Sequence, residues 1–175
     1  MSEYEFTLIF ALPHKKRELD VCIESLAEHG CDDATIGIGK PGRIALWFTR
    51  HGDTAAAAVL SAIGDAQSAI PEALLIEVTP DYVGVTEVAE TVGCSRQNIR
   101  NLLVGAAATP PAPVHEGSSA VWHLAVLLRW LRDAKRYRIA DDLLDLASTT
   151  MQVNIAIEQR HADVPVRTQI DSLLA

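Results

Sequence analysis

The first eighty residues constrain the fold most strongly, because their apolar side chains change repeatedly between the spacing of a strand and that of a helix. Apolar side chains at every second residue from Tyr4 to Leu12 alternate with Glu5 and Thr7, as in a half-buried strand. A helical stripe follows, formed by Leu19, Cys22, Ile23 and Leu26. Pro13 is a suitable first residue for this helix, and Gly30 ends the pattern. The first thirty residues therefore predict a strand followed by a helix.

The next fifty residues repeat this change of spacing. Alternating apolar residues at 34–38 and 44–48 flank the turn sequence GKPG and predict a hairpin. Asp53 or Thr54 can cap a second helix, whose apolar stripe consists of Val59, Leu60, Ile63 and Ile70. A closing strand is predicted from Leu74, Ile76 and Val78. The order βαββαβ over residues 1–80 predicts an α+β unit of the ferredoxin-like kind, a four-stranded antiparallel sheet with both helices on one face.

A ferredoxin-like arrangement does not by itself reveal an activity, since it occurs in enzymes, RNA binders and small-molecule sensors. RNA binding by such a sheet needs exposed aromatic side chains on the central strands. Phe6, Phe10 and Phe48 belong to the predicted core side, and only Trp47 points the other way. Residues 1–80 also carry a net charge of −6. We therefore expect a sensory, dimerising or partner-binding role for this unit, with a small-molecule effector or a protein as its partner.

Charge is distributed unevenly along the chain, whose overall net charge is −8. Residues 94–138 contain seven basic and two acidic side chains, a net charge of +5, while the flanking segments 81–93 and 139–175 are acidic. Exposed charges are largely screened beyond about 10 Å at 0.1 M salt, so a local basic segment can attract phosphates even in an acidic protein. This segment is either a polyanion-binding surface or a solvated basic helix face.

The segment VTEVAETVGCSRQNIRNLLVG, residues 85–105, has the pattern of a helix-turn-helix. Ala89 is small enough for two helices to cross closely, Gly93 permits a left-handed turn, and Ser95 can cap the second helix. The inner face of the pair is predicted to consist of Val88, Val92, Cys94, Ile99 and Leu102. The alternative interpretation is a helical hairpin that contacts another protein.

The outer face of the second predicted helix is suited to the recognition of base edges. Beside the Ser95 cap it consists of Arg96, Gln97, Arg100, Asn101 and Val104. Arginine forms bidentate bonds to guanine, glutamine and asparagine bond adenine, and valine contacts the thymine methyl group. These residue types on one face predict contact with double-stranded DNA.

A β-hairpin wing and a further helix are predicted downstream of this pair. Val114 and His115 precede the turn Glu116-Gly117-Ser118-Ser119, and Val121 and Trp122 follow it. The next helix has an apolar stripe formed by Leu124, Leu127, Leu128 and Leu131. Together with the helix pair, these elements predict a second unit at residues 81–138.

With these features, residues 82–133 resemble the winged helix-turn-helix of the excisionase, AlpA and MerR-like group. The shared features are the helix pair Thr86–Gln97, the Pro-Val wing at Pro113 and Val114, and the tryptophans Trp122 and Trp130. The resemblance implies a cytoplasmic DNA binder in transcription or recombination. It implies that Arg96, Gln97 and Arg100 enter the major groove. It also implies that the wing, with the polar residues His115, Ser118 and Ser119, contacts flanking backbone or the minor groove.

The C-terminal segment, residues 139–175, predicts a long helix from Ile139 to His161 that Pro165 ends, followed by one more short turn of helix in VRTQIDSLLA. Its first apolar stripe consists of Leu143, Leu146, Thr150, Val153 and Ile157, and its second of Leu144, Ala147, Met151 and Ile155. One stripe can cover the chain's own core. The second predicts either a partner helix in a homodimer, which is our preferred interpretation, or packing against the winged unit.

Neither catalysis nor a cofactor is predicted. The candidate groups His14, His51, Cys22 and Cys31 lack the spacing of a nucleophile with its base or of metal ligands. No apolar run approaches the ~20 residues needed to span a bilayer, and the first residues lack the features of a secretion signal. We expect a soluble cytoplasmic DNA-binding regulator that forms a homodimer. The alternatives are a protein-interaction adaptor, such as an antitoxin or regulatory subunit, and a small-molecule enzyme.

Overall fold

The computed structural model describes residues 1–12, 19–105 and 109–174, with Leu19 and Asp20 described by their backbone only. Pro13 and His14 lie outside the described residues. The helices and antiparallel strands confirm the predicted α+β class. In chain order the elements are β1 (Ser2–Ala11), α1 (Leu19–Glu28), β2 (Ala34–Gly37), β3 (Arg43–Gly52), α2 (Ala55–Ala69), β4 (Leu74–Thr79), β5 (Tyr82–Val83), α3 (Val85–Thr91), α4 (Arg96–Val104), β6 (Trp122–His123), α5 (Leu124–Lys135), α6 (Asp141–Glu158) and α7 (Val164–Leu174).

The strands β1 to β4 form one antiparallel sheet in the order β2-β3-β1-β4. β1 and β3 pair along their whole length, from Ser2 opposite Gly52 to Ala11 opposite Arg43. Alternation along these two strands buries one face, formed by Tyr4, Phe6, Leu8, Phe10, Ile44, Leu46 and Phe48. Trp47 lies on the opposite face and is 55% exposed, as its place in the alternation predicts.

The helix α2 packs against the buried face through small side chains. Thr54 caps it, accepting a hydrogen bond from Ala57 N at 3.1 Å. Its buried side is formed by Ala55, Ala58, Val59, Ala62, Ala66 and Ala69. The predicted stripe is therefore wrong at Leu60, which is 59% exposed. Alanine methyl groups let the helix backbone lie close to the sheet, and the bulkier Leu60 occupies the outer side. In α1, Cys22 and Leu26 are buried but Ile23 is exposed.

An irregularity in the pairing of β4 changes which of its residues enter the core. Ile9 pairs with Glu77, whereas the next residue, Phe10, pairs with Leu75. One extra residue in a strand shifts the alternation by one position. Leu75 is buried and Leu74 is exposed, so the predicted alternation of the closing strand is wrong at its beginning and right at Val78.

A second core lies beneath the helix pair α3 and α4. Val88, Ala89 and Ile99 are buried there, together with Trp122 of β6. The predicted stripe of α5 is buried in the same core at Leu124, Leu127, Leu128 and Leu131. β5 pairs with β6, with Val83 opposite Trp122, and this two-stranded sheet holds the start of α3 next to the start of α5.

The helix α6 joins the two cores, because each of its apolar stripes is buried in a different one. Leu146, Val153 and Ile157 pack into the core of the four-stranded sheet. The second stripe packs into the core of the helix pair, at Leu144, Ala147, Met151 and Ile155. Leu143, predicted in the first stripe, also packs against this core. The interpretation of the second stripe as a dimer surface is therefore wrong. A helix with apolar side chains on opposite sides needs a packing partner on each side, and here both partners belong to the same chain.

Beyond α6 the chain forms the further helix predicted for VRTQIDSLLA, but this helix begins before Pro165 and is longer than one short turn. A 3₁₀ turn at Gln159–His161 follows α6, and Pro165 lies in the first turn of α7. Proline is well tolerated there, since the first N–H groups of a helix have no partner within it. Every described residue of α7 is exposed. Within the described ranges, no helix is both long and apolar enough to cross a membrane.

Candidate nucleic-acid interface

The helices α3 and α4 are joined by a tight turn at residues 92–95, where the sequence predicts one. Gly93 has a φ of +67°, a backbone conformation that residues with a Cβ atom rarely adopt. Ser95 caps α4, with its Oγ accepting a hydrogen bond from Asn98 N at 3.1 Å. At the start of α3, Glu87 Oε2 accepts a hydrogen bond from Gly84 N at 3.0 Å. The two helix starts are therefore defined by local hydrogen bonds, whereas the inner residues Val88, Ala89 and Ile99 depend on the tertiary core.

The predicted recognition face of α4 is exposed. Ser95, the arginines Arg96 and Arg100, and the amides Gln97 and Asn101 are all open to solvent, and Val104 is 83% exposed. Gln97 Nε2 donates a hydrogen bond to Asn101 Oδ1 at 2.8 Å, which aligns the two amide groups one helical turn apart. The arginine and amide groups are therefore accessible from solvent.

The predicted wing is present only as a single bridge between His115 and Val121. The prediction is wrong at Trp122, which pairs with Val83 of β5 instead. Val121 N donates to His115 O at 3.0 Å, and the loop between them exposes Ser118 and Ser119. The His115 ring lies over this loop, because a Cβ added at Gly117 would come 2.7 Å from its Nε2 atom. His115 is thus an exposed residue that also shapes the wing.

The wing and α4 form the two sides of an open groove of about 550 Å³. Arg96 and Arg100 line one side, and Ser118 and Ser119 line the other. The structure therefore brings four of the predicted contact residues together in one groove. The remaining predicted residues, Ser95, Gln97, Asn101, Val104 and His115, are exposed outside its lining.

Part of the basic segment flanks this groove, and part of it is used in packing. Asn98 Nδ2 of α4 donates to Tyr137 Oη at 2.7 Å, which brings the exposed Arg136 and Arg138 next to α4. By contrast, Arg129 Nη2 donates to Ser148 Oγ of α6 at 2.8 Å. Two further members of the segment also have partners within the chain, Arg132 with Asp133 and Asp141, and Lys135 with the Trp130 ring.

A polar cluster at the junction of the two cores was not predicted. Asp81 is 1% exposed and accepts hydrogen bonds from His123 Nδ1 and from Asn154 Nδ2, each at 2.8 Å. Asn154 also bonds both backbone groups of Val78. Thr150 Oγ1 donates to Pro80 O at 2.6 Å. The only sequence signal was a polar residue, Thr150, within an apolar stripe. The cluster connects α6 to β4 and to the segment between the sheet and the helix pair.

The ionisable groups beside this junction are affected by burial. Burial raises the pKa of Tyr82, and the hydrogen bond from its hydroxyl group to Glu158 adds to the increase. Burial also raises the pKa of Glu77, with a further contribution from the charge of Asp81. Tyr82 is therefore a neutral hydrogen-bond donor at neutral pH.

The other charged cluster is structural and lies within the four-stranded unit. The guanidinium group of Arg50 bonds Asp33 Oδ2 at 2.7 Å, Asp65 Oδ2 at 2.6 Å and Gly30 O at 2.6 Å, joining β3 to the ends of both helices. Burial raises the pKa of Cys31 to about 11, so its thiol is a poor nucleophile at neutral pH. In the part of the chain that the structure describes, no group of three or more His, Cys, Asp or Glu side chains could hold a metal ion.

Comparison of the chain with protein families, with curated proteins and with solved structures gave no match.

Proposed function

We propose that this chain is a sequence-specific binder of double-stranded DNA that acts as a transcriptional regulator in the cytoplasm. The observation that carries the proposal is the exposed face of α4, where Arg96, Arg100 and the amide pair Gln97 and Asn101 point away from the protein. These groups bond base edges in the major groove. The regulator acts by occupying an operator or recombination site, and it needs neither bond chemistry nor a cofactor.

The proposed architecture is a ferredoxin-like domain at residues 1–80 followed by a winged helix-turn-helix at 81–138. The sheet order β2-β3-β1-β4 with two helices in the βαββαβ sequence supports the first assignment. The helix pair, the bridged hairpin and α5 support the second. The remaining residues, 139–175, supply α6, which packs against both domains.

The proposed mode of binding inserts α4 into the major groove and places the wing along one phosphate strand. Ser118 and Ser119 can donate hydroxyl hydrogen bonds to phosphate oxygens across the groove from Arg96 and Arg100. The exposed segment at Arg136 and Arg138 can meet the backbone on the other side of α4. The acidic N-terminal domain repels DNA elsewhere, so binding is restricted to this one surface.

Selection of bound duplexes from a random pool tests the proposal. The full chain is then titrated with an enriched duplex and with its scrambled counterpart at two salt concentrations. We expect the enriched duplex to bind on the order of 10³-fold more tightly, and both affinities to decrease as salt increases. Equal affinities for the two duplexes would overturn sequence specificity. The absence of salt-dependent binding would overturn DNA binding itself.

The proposed assembly is a homodimer, and α7 is the surface that we assign to it. Its apolar residues Val164, Val166, Ile170, Leu173 and Leu174 are between 45% and 83% exposed. An isolated helix of eleven residues is marginally stable in water, so a partner is expected to cover it. Pairing of two copies would place two recognition helices on one DNA site.

The same exposed helix favours a second candidate function, a protein-interaction adaptor. In that case α7 binds another protein, and the face of α4 is secondary. Co-purification of a different gene product in stoichiometric amounts, together with no binding of the full chain to any enriched duplex, would support the adaptor.

A further inference from the structure

A cleft separates the open face of the four-stranded sheet from the helix pair. Its volume is about 420 Å³, within the range of small-molecule sites. Glu5, Thr7 and Trp47 line it from the sheet, and Tyr82 and Glu87 line it from the side of the helix pair. This cleft adjoins the groove between α4 and the wing, and Tyr82, Val83 and Glu87 line both.

The cleft has aromatic rings on both sides. Trp47 is paired in the middle of the sheet, opposite Thr7 and Thr35, and the residue is 55% exposed. Tyr82 is half-buried, and its other neighbour is the His123 ring, 5.2 Å away between centroids. A large exposed indole among threonine side chains is a natural contact for a flat apolar ligand.

The charge of the lining selects the class of ligand. Among the described residues that line the cleft, three are carboxylates, Glu5, Asp81 and Glu87, and none is a lysine, arginine or histidine. Asp81 already accepts bonds from His123 and Asn154, and Glu87 Oε2 accepts one from Gly84 N, so Glu5 and the second carboxylate oxygen of Glu87 are available to a ligand. Carboxylates beside an exposed indole face attract a cation by ion pairing and by interaction with the ring.

We propose that this cleft binds a small organic ammonium ion with a flat apolar body. The body packs on Trp47, and the ammonium group lies between Glu5 and Glu87. Because Glu5 belongs to β1 and Glu87 to α3, the bound ion connects the sheet to the helix that supports α4. The site does not depend on DNA binding, and its test uses no DNA.

Titration calorimetry with the full chain and phenethylammonium is the direct test. Neutral 2-phenylethanol and anionic 3-phenylpropanoate serve as ligands of matched shape. We expect saturable binding of phenethylammonium, with the neutral compound at least about fivefold weaker, as expected for the loss of about 1 kcal/mol of cation–aromatic attraction. Equal or tighter binding of either matched compound would overturn the assignment of a cation, and the absence of saturable binding would overturn the site.

Three variants locate the bound ion. Trp47→Ala, Glu5→Gln and Glu87→Gln are each expected to weaken phenethylammonium binding about fivefold or more. Glu3→Gln is the matched control, because Glu3 lies on the same face of β1 but outside the lining. Thermal unfolding checks that each variant is folded. Unchanged affinity in all three variants overturns the proposal. The proposal is also overturned if sedimentation shows that the wild-type chain is a dimer and that Trp47→Ala converts it into a monomer, because a second copy would then cover the cleft.

Discussion

Asn154 of α6 bonds both backbone groups of Val78 in the edge strand β4. Its Oδ1 accepts from Val78 N at 2.8 Å, and its Nδ2 donates to Val78 O at 2.7 Å. The carboxamide thus takes the place of the neighbouring strand that β4 lacks on this side. A further bond from Nδ2 to Asp81 Oδ2 extends the connection to the start of the helix-pair unit. One side chain therefore joins α6, the sheet and the candidate DNA-binding unit.

Asn154→Ala is expected to decrease the free energy of unfolding by about 3 kcal/mol. The substitution leaves the Val78 backbone groups and Asp81 Oδ2 without their partner in a buried place. Urea unfolding measures the change. Gln152→Ala is the matched control, because Gln152 is exposed on the same helix, and its effect should stay within about 0.5 kcal/mol. Equal losses in the two variants would contradict the role of the Asn154 bonds.

Arg100→Ala is expected to weaken binding to the selected duplex by about 1–3 kcal/mol and to relax specificity at one base pair. The reason is that an arginine on the exposed face of α4 can bond a base in bidentate fashion. Fluorescence anisotropy with single-base variants of the duplex measures both effects. Arg167→Ala, an exposed arginine on α7, is the control and should leave base preference unchanged. A loss that is equal on scrambled DNA would mean that Arg100 contacts only phosphate.

Ile170→Asp is expected to convert a dimer into a folded monomer. Ile170 is 45% exposed at the middle of the apolar face of α7, so a charge there opposes pairing without disturbing either core. Sedimentation velocity measures the change in mass. Gln169→Asp adds the same charge at the neighbouring position and controls for net charge. A wild-type chain that is monomeric at all concentrations tested would contradict the homodimer.

Glu77→Gln is expected to increase the midpoint of urea unfolding at pH 7. Burial, with the charge of Asp81, raises the pKa of Glu77 in the folded state, so ionisation favours the unfolded chain. Below the ordinary glutamate pKa of 4.5, Glu77 is protonated in the folded and in the unfolded chain, and ionisation costs no stability. The loss of stability develops as pH increases through the folded pKa. The stabilising effect should therefore be present at pH 7 and disappear near pH 4. An equal effect at both values would indicate a change in packing instead.

The elements that carry the candidate DNA contacts were predictable because they are determined locally. The Gly93 turn and the Ser95 cap define the ends of the two helices, and helical spacing then separates the buried Ile99 from the exposed Arg96 and Arg100. The wing was recognised from its turn residues in the same way. The errors at Leu60 and Leu74 arose where packing against a neighbour decided burial, through an alanine face in one case and a strand irregularity in the other.

The sequence by itself determined the α+β class, the order of helices and strands, and the residues that form the outer face of α4, since each depends on spacing within a few turns of chain. Only the tertiary structure decided that both stripes of α6 are covered by the same molecule. It also placed Asp81, His123 and Asn154 together and set Trp47 across a cleft from Glu87. A stripe indicates that a surface is buried but carries no information about what buries it. Contacts between residues seventy positions apart depend on how whole elements pack.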